Sequence, residues 1–203
     1  MIGNDVVDLT DPEAQSGATH PRFDGRVFAR SELQMLGASG APNRLRWMLW
    51  AAKEAAYKAV KKMDPRAVFS PSKFVVKLDE TLRGEVSCEG RTLQVALCEE
   101  ATSVHAIATS DVLPESRILS GTHEIEGEVL DPDLPSEAAR EFAIRELASA
   151  LHVPSNSLAI AKRGRVPTLL HDGESTGIDL SLSHHGRVVG FACDIGPPEN
   201  PHS

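Results

Sequence analysis

An alanine-rich segment, residues 49–60, carries one carboxylate and two lysines. Glu54 and Lys58 stand four residues apart, so on a helix they share one face. An exposed Glu–Lys pair at this spacing stabilises a helix by only about 0.2–0.5 kcal/mol, and such pairs are common. The segment taken alone therefore fits a solvated salt pair, and catalysis would require further polar groups from elsewhere in the chain.

Residues 3–8 place two aspartates among apolar residues near the start of the chain. A carboxylate such as Asp5 inside an apolar strand costs desolvation free energy unless a cation or hydrogen bonds compensate its charge. Asp5 is therefore a candidate partner for a metal ion or a lysine. The structural alternative is that it caps a turn or faces solvent.

Segment 180–188 alternates leucine and serine, then continues with two histidines and a glycine. This alternation predicts a half-buried strand that ends in a tight turn. Ser183 and His184 can both donate hydrogen bonds to a phosphate group. A hydrolase triad is disfavoured because the segment lacks a nucleophile elbow, and zinc binding by His184 and His185 is disfavoured because successive strand residues face opposite sides. The structural alternative is a turn with two solvent-exposed histidines.

The composition indicates a globular protein with an acidic surface. The chain has 203 residues and a formal net charge of −8, which argues against nucleic acid or an anionic membrane as the main partner. The first residues lack the pattern of a signal peptide, and no apolar run reaches the ~18 residues of a spanning helix. The three cysteines show no metal-binding spacing. Together these features predict a reduced, cytoplasmic protein.

The elements that must position these residues fall into two similar series. The first series has a strand at 2–9, a short helix at 26–36, a long helix from Pro42 to Asp64, and strands at 74–78, 93–97 and 104–108. The second has a helix at 136–151, capped by Ser136, and strands at 158–162, 179–183 and 188–194.

The two series predict an α+β fold made of two similar halves, each a helix packed on antiparallel strands. The ends of the halves, residues 104–111 and 188–194, are alike, which favours an ancient duplication and a pseudo-twofold axis over two unrelated hairpins. The predicted division is an N-terminal half at 1–112, a connecting loop at 113–135 and a C-terminal half at 136–203.

Considered together, these stretches resemble the signature motifs of the 4'-phosphopantetheinyl transferases. Residues 2–5 resemble the family's Gly-x-Asp strand, and residues 50–58 resemble its Trp-x-x-Lys-Glu-x-x-x-Lys helix. Residues 182–184 are similar to its Ser-His motif and residues 163–167 to its Gly-Lys-Pro loop. Residues 26–32 resemble the Arg-x-Phe…Glu segment that precedes the long helix. The resemblance covers nearly the whole chain, and the Lys-Glu helix is its most specific part.

The chain departs from the family pattern at two positions. Asn4 stands where the family usually has an aliphatic residue, a change expected to matter little. Val166 precedes Pro167 where a lysine or arginine is expected, so Arg165 is the candidate substitute. The Asp and Lys-Glu motifs come before the Ser-His motif, as in the short holo-acyl-carrier-protein synthases and unlike the surfactin-type enzymes. The length nevertheless accommodates two units, in agreement with the predicted duplication.

The resemblance implies transfer of phosphopantetheine from coenzyme A to a serine of a carrier protein, with Mg²⁺ as cofactor and 3',5'-ADP as product. Asp5 and Glu54 would bind Mg²⁺, and Asp8 would be a further ligand. Glu54 would also accept the serine proton, and Lys58 would stabilise charge on the pyrophosphate. These groups would lie in a cleft between the halves.

The resemblance also implies how the substrates bind. Ser183, His184 and Arg165 would contact coenzyme A, the first two at its phosphoadenosine end. Because carrier proteins of this kind are acidic, a local basic patch would have to dock them, and a group of arginines near the first helices either forms that patch or is a set of separate surface charges. These arginines are Arg22, Arg26, Arg30, Arg44 and Arg46.

Several functional alternatives stay open at the level of sequence. The leading prediction is an active transferase, and the alternative is a non-catalytic module that binds coenzyme A or docks a carrier protein. The pattern does not choose between fatty-acid, polyketide and nonribosomal peptide carriers, or between free and acylated coenzyme A. An internal duplication makes a monomer sufficient for a complete site.

Overall fold

The structure is a computed structural model, and it describes residues 1–127, 129, 131–164 and 166–196. The fold is α+β, as the sequence predicts. The helices are α1 (Phe23–Val27), α2 (Arg30–Ala38), α3 (Pro42–Met63) and α4 (Leu134–Leu151). The strands are β1 (Ile2–Asp8), β2 (Val75–Leu78), β3 (Arg83–Cys88), β4 (Arg91–Glu99), β5 (Ser103–Thr109), β6 (Ile118–Glu124), β7 (Leu158–Arg163), β8 (Val166–His171), β9 (Glu174–Ser175), β10 (Asp179–His185) and β11 (Val188–Asp194).

We name β1 to β5 with α1 to α3 the N-terminal unit. Its core is a five-stranded antiparallel sheet covered by α3. The strand order is β1-β5-β4-β3-β2, and α3 packs mainly on β1 and β5. Pro42 begins α3, where a missing N–H is harmless, and the apolar stripe at Leu49, Ala52, Ala56 and Ala59 is buried against the sheet.

The C-terminal unit, β6 to β11 with α4, has two three-stranded sheets. Their orders are β10-β11-β6 and β7-β8-β9, and α4 packs on β10 and β11. Each unit thus combines one long helix with an antiparallel sheet, while the duplication and the pseudo-twofold axis stay predictions. Within the described ranges, no helix combines the length and the apolar character needed to span a membrane.

Three local predictions need correction. The helix expected at 26–36 is two helices, because Phe28 and Ala29 have extended backbone conformations between α1 and α2. The connecting loop expected at 113–135 contains β6, which becomes regular because it pairs along its whole length with β11. Ser136 does not cap α4: the helix starts two residues earlier with Pro135 in its first turn, and Ser136 instead accepts a hydrogen bond from Arg140.

The two units meet where β1 lies beside β10. β1 pairs with β5 along one edge, and side chains at alternate positions of β10 accept hydrogen bonds from N–H groups of β1. The donor and acceptor residues of each pair are 177 positions apart, so the two strands run in the same direction. Hydrogen bonds from the backbone of β1 to side chains of β10 therefore hold the two units together at this junction, in place of a continuous backbone ladder. The pairs are Ile2–Asp179 (2.5 Å), Asn4–Ser181 (3.0 Å) and Asp8–His185 (3.2 Å).

Candidate active site

A close approach of β1 to α3 positions Asp5. A Cβ atom at Gly3 would lie 2.1 Å from the carbonyl oxygen of Ala55 and 2.7 Å from the nitrogen of Ala59. Only glycine fits at this position, and the alanines of α3 keep the opposing surface equally small. Because the strand and helix backbones touch here, Asp5, two residues further on, comes within reach of polar side chains of α3.

Asp5 is buried, with 9% of its surface exposed, and forms an ion pair with Lys58. The Lys58 Nζ lies 2.8 Å from Asp5 Oδ1 and also donates to the main-chain oxygen of Asn4 at 2.9 Å. Burial raises the pKa of Asp5 and outweighs the opposing effect of Lys58. The lysine therefore compensates this buried carboxylate only in part.

Glu54 faces the same place from one turn earlier on α3. Burial, together with the charge of Asp5, raises the pKa of Glu54 from its ordinary value of 4.5 to about 7, and Lys58 opposes this rise. A carboxyl group with a pKa near neutrality can accept and release a proton in the physiological range. The structure thus brings Asp5, Glu54 and Lys58 together in one partly buried cluster.

Lys53, the chain neighbour of Glu54, faces the protein core instead. Its side chain is completely buried, as is that of Glu32, and the two form an ion pair of 2.7 Å. Lys53 also donates to the main-chain oxygens of Pro71 and Phe74. The ion pair ties α2 to α3 on a face of α3 different from the one that carries Glu54.

Asp8 lies at the end of β1 and is engaged in hydrogen bonds. Its carboxylate accepts from the main-chain nitrogen and hydroxyl of Thr10, at 2.8 and 2.6 Å, and from the main-chain nitrogen of Arg187 at 3.0 Å. Burial raises the pKa of Asp8, but these hydrogen bonds outweigh burial and hold the pKa below its ordinary value. Asp8 thus joins β1 to the turn between β10 and β11. Its role as a metal ligand stays a prediction, which these hydrogen bonds do not favour because they already occupy the carboxylate.

The two residues of the Ser-His segment have different surroundings. Ser183 is buried, with 4% exposed, and its hydroxyl accepts a hydrogen bond of 2.7 Å from Asn4 Nδ2. Although His184 is exposed, desolvation by its neighbours and the charge of Lys58 lower its pKa, while Asp5 opposes this change, so the imidazole is electrostatically coupled to the acidic cluster.

Two adjoining cavities share Pro167 and Leu182 as a common wall, and Lys58 of the cluster lines the larger one. Their volumes are about 180 and 230 Å³. Among the described residues that line them, none is acidic, so both cavities suit an anionic ligand. The basic residues are Arg140, Lys162 and His184 in the smaller cavity and Lys58, Lys61 and Lys62 in the larger one.

A sequence model of the 4'-phosphopantetheinyl transferase superfamily matches residues 1–110, more than half of the chain. The chain belongs to this superfamily. The matched segment contains Asp5, Glu54 and Lys58, whereas Ser183 and His184 lie outside it. No curated protein matches the chain. Membership indicates phosphopantetheine transfer as the general activity.

This member of the transferase superfamily has a second group of potential metal ligands, formed by Asp11, Glu13 and His185. Ligand atoms of Asp11, Glu13 and His185 lie within 4.8 Å of one another. His185 Nδ1 accepts the hydrogen bond from the Asp8 main-chain N–H, so the proton of the neutral imidazole resides on Nε2. Coordination of a metal by Nε2 would move the proton to Nδ1 and break this hydrogen bond, which favours Asp5 with Glu54 as the candidate pair.

The start of β8, directly after the loop that joins it to β7, borders both cavities of the transferase through Pro167. Arg165, the substitute predicted for the family's loop lysine, lies outside the residues that the structure describes, and its role stays a prediction. The next residues, Val166 and Pro167, line the larger cavity.

A Gly-x-Ser-x-Gly pattern does occur in this transferase, at residues 173–177. It lies around β9, where Gly173 and Gly177 have φ angles of +86° and +75°. A nucleophile elbow instead requires a turn from a strand into a helix. The pattern is therefore a β-turn sequence and does not support a hydrolase.

Two of the five arginines expected to dock a carrier protein are engaged in ion pairs. Arg46 binds both carboxylate oxygens of Asp24, and Arg44 pairs with Glu99. A docking patch would therefore depend mainly on the exposed arginines of α1, α2 and the residue before α1. These are Arg22, Arg26 and Arg30.

The sequence patterns do not single out Arg140 or Lys162. Arg140 stands on α4 one turn after Ser136, and Lys162 stands near the end of β7, just before the loop that resembles the Gly-Lys-Pro motif. Proximity to that loop was the only signal available for Lys162. Arg140 becomes recognisable only when α4 packs beside β10 and brings it to the cavity with His184.

Proposed function

We propose that this protein transfers the 4'-phosphopantetheine group of coenzyme A to a serine hydroxyl of a carrier protein. The serine oxygen forms a bond to the phosphorus that carries the pantetheine arm, and the bond from that phosphorus to 3',5'-ADP breaks. The serine proton passes to a base, and 3',5'-ADP leaves. The observation that supports this proposal is the cluster of Asp5, Glu54 and Lys58, whose lysine lines the larger of two adjoining cavities with basic linings, in a member of the transferase superfamily.

Glu54 is the proposed base. A bound Mg²⁺ would lower the pKa of Glu54, but in the cation-free site a pKa of about 7 makes it a stronger base than a glutamate at its ordinary pKa of 4.5. Burial and the nearby charge of Asp5 supply this increase. Glu54 is a more suitable base than Asp8, whose hydrogen bonds hold its pKa low.

Lys58 is the proposed contact to the pyrophosphate. An ammonium group has three N–H donors, and two of them are directed to Asp5 and to the main-chain oxygen of Asn4. The third donor is available for a phosphate oxygen at the cavity that Lys58 lines. A positive charge at this position stabilises the negative charge that develops on the leaving group.

Asp5 and Glu54 are the residues that would hold Mg²⁺. Two coupled carboxylates whose pKa values are both raised form a site of incompletely compensated negative charge, which is the kind of oxygen donor set that Mg²⁺ prefers. When bound, Mg²⁺ would neutralise charge on the pyrophosphate. The described residues thus fit this cofactor without further ligands from Asp8.

The phosphoadenosine end of coenzyme A is assigned to the smaller cavity, where Arg140, Lys162 and His184 converge. Lys62 is a poorer candidate although it lines the larger cavity. Its ammonium donates to Asp179 and to the main-chain oxygens of Ile2 and Leu180, so all three donors are used.

The carrier protein is assigned to the surface of α1 and α2 that presents Arg22, Arg26 and Arg30. Leu33 of α2 is also exposed, at 37%, so this surface combines positive charge with an apolar residue. An acidic carrier would associate with such a surface despite the net charge of −8.

The test is a modification assay that uses mass spectrometry as readout. The protein is mixed with coenzyme A, Mg²⁺ and a panel of apo carrier proteins from fatty-acid, polyketide and peptide synthases. We expect a mass increase of one phosphopantetheine group on the serine of at least one carrier, together with release of 3',5'-ADP. Chelation of divalent cations should stop the reaction.

The matched control is Glu54→Gln, which keeps the side-chain shape and removes the base. This variant should bind coenzyme A but transfer no phosphopantetheine. No modification of any carrier by the wild-type protein would refute the proposal. Binding of coenzyme A without transfer would then identify a non-catalytic coenzyme A-binding module.

A further inference from the structure

Asn4 joins the two units through its side chain. The residue is completely buried, and its Nδ2 donates to the Ser183 hydroxyl at 2.7 Å and lies 3.1 Å from His105 Nε2. Its main-chain nitrogen donates to the Ser181 hydroxyl, and its main-chain oxygen accepts from Lys58. Asn4 thus contacts β5, β10 and α3 at once.

His105 is able to accept the hydrogen bond from Asn4. Burial, with a contribution from Lys58, lowers the pKa of His105 to about 4, so its imidazole is neutral near pH 7. A neutral imidazole has one unprotonated nitrogen, and the two Nδ2 hydrogens of Asn4 can therefore reach Ser183 and His105 simultaneously. The amide group is held from both sides.

Packing alone does not explain an asparagine at this position. Asn4 Oδ1 is buried and has no hydrogen-bond partner among the residues that the structure describes. A buried carbonyl oxygen without a partner destabilises the folded state, whereas an apolar side chain of similar volume would avoid that loss. A function that needs the Nδ2 hydrogen bonds would account for the residue.

The bond between Asn4 and Ser183 links two chain positions that directly adjoin the proposed site. Asn4 precedes Asp5 on β1, and Ser183 precedes His184 on β10. The surrounding space is tight, because a Cβ atom at Gly190 would lie 2.6 Å from Val6 Cγ1 and 3.4 Å from both Asn4 Nδ2 and Ser183 Oγ. This bond therefore joins the two units next to both sets of site residues. A shift of one unit against the other would move Asp5 relative to His184.

We propose that Asn4 and Ser183 are positioning residues, which align the Asp5–Glu54–Lys58 cluster of the N-terminal unit with the coenzyme A cavity of the C-terminal unit. The inference rests on the proposed function. It assigns Ser183 to the junction rather than to direct contact with coenzyme A, in contrast to the expectation from the sequence.

The positioning role predicts a specific kinetic effect. Coenzyme A would still bind to Arg140, Lys162 and His184 if the junction shifted, because these residues belong to the same unit. Its pyrophosphate, however, would be misaligned with Lys58 and the base. Loss of the link should therefore lower kcat and leave KM for coenzyme A nearly unchanged.

The experiment compares Asn4→Leu, Ser183→Ala and the double variant with the wild-type protein. We measure kcat and KM for coenzyme A in the carrier assay, Kd for coenzyme A by calorimetry, and stability by urea unfolding. We expect kcat to fall about 10- to 100-fold in each variant, with KM and Kd within about threefold of the wild-type values. The double variant should be no slower than the slower single variant, because both changes remove one interaction.

Two controls separate positioning from a general loss of stability. Leu147→Val removes core volume in α4, where Leu147 is completely buried, and should lower stability without a comparable fall in kcat. Ser183→Cys adds no atom and keeps a weak hydrogen-bond acceptor, so its kcat should lie between those of Ser183→Ala and the wild-type protein.

The possible outcomes distinguish this inference from the proposed function. Variants with wild-type kcat would overturn the positioning role, and weaker coenzyme A binding with unchanged kcat in Ser183→Ala would show a direct ligand contact instead. A fall in kcat in Leu147→Val equal to that in Asn4→Leu would also overturn it. Absence of transfer by the wild-type protein would refute the proposed function and the positioning role with it.

Discussion

Glu54 should destabilise the folded protein at neutral and alkaline pH, and glutamine at this position should remove that effect. The fold raises the pKa of Glu54 from 4.5 to about 7. The folded protein therefore binds more protons than the unfolded chain between these values, so the stability contribution of Glu54 falls as pH rises from about 4.5 to about 7. The full difference corresponds to about 3 kcal/mol. Because Glu54 keeps some contact with solvent, we expect about 1–3 kcal/mol.

The assay is urea unfolding of the wild-type protein and Glu54→Gln at pH 5 and pH 8 without divalent cations. Glu54→Gln should be more stable than wild type, and its advantage should grow by about 1–2 kcal/mol between the two pH values. Addition of Mg²⁺ at pH 8 should stabilise the wild-type protein more than the variant, because the variant lacks one proposed ligand.

The matched control is Glu141→Gln, which changes an exposed glutamate of α4. Its stability relative to wild type should not depend on pH to a comparable extent. An advantage of Glu54→Gln that is the same at pH 5 and pH 8 would refute the argument that burial and Asp5 raise the pKa of Glu54.

Three further predictions follow from the contacts around the site. Lys53→Met should lower the free energy of unfolding in urea by about 3–5 kcal/mol, because it leaves the Glu32 carboxylate buried without its cation. A Lys53→Met/Glu32→Leu double variant should regain part of that loss, and a double variant less stable than Lys53→Met would contradict this account. Gly3→Ala should lower the midpoint temperature of thermal unfolding strongly, because its Cβ atom would clash with the backbone of α3. Gly25→Ala, with open space around it, should change this temperature little, and equal effects of the two variants would argue against the close approach of β1 to α3. Lys162→Ala should raise KM for coenzyme A about tenfold with kcat nearly unchanged in the carrier assay, and a loss confined to kcat would place the phosphates elsewhere.

The elements that carry the acidic cluster could be predicted from the sequence because their signals are local. The apolar stripe of α3 and the proline that begins it determine which residues share a face, so Glu54 and Lys58 were recognisable as a pair. The short apolar run of β1 similarly identified Asp5 as an unusual carboxylate. β6 escaped prediction because its regular structure depends on pairing with β11, some 70 residues further along the chain.

The same limitation applies to single side chains at the site. Lys53 and Glu54 are neighbours in sequence, yet one is completely buried against Glu32 and the other faces Asp5. Ser183 and His184 differ in the same way, because successive strand residues point to opposite sides. Sequence spacing indicates that the two members of each pair diverge, but only the neighbouring elements determine which one faces the core.

The sequence by itself thus determined the family, the α+β class and the chemical types of the residues at the proposed site. The tertiary structure decided which of these residues meet and what their charges become. The pKa of Glu54 depends on Asp5, which is 49 positions away in the chain, and the link from Asn4 to Ser183 spans 179 positions. Electrostatic coupling and hydrogen bonding depend on distance in space, and that distance exists only when β1 lies between α3 and β10.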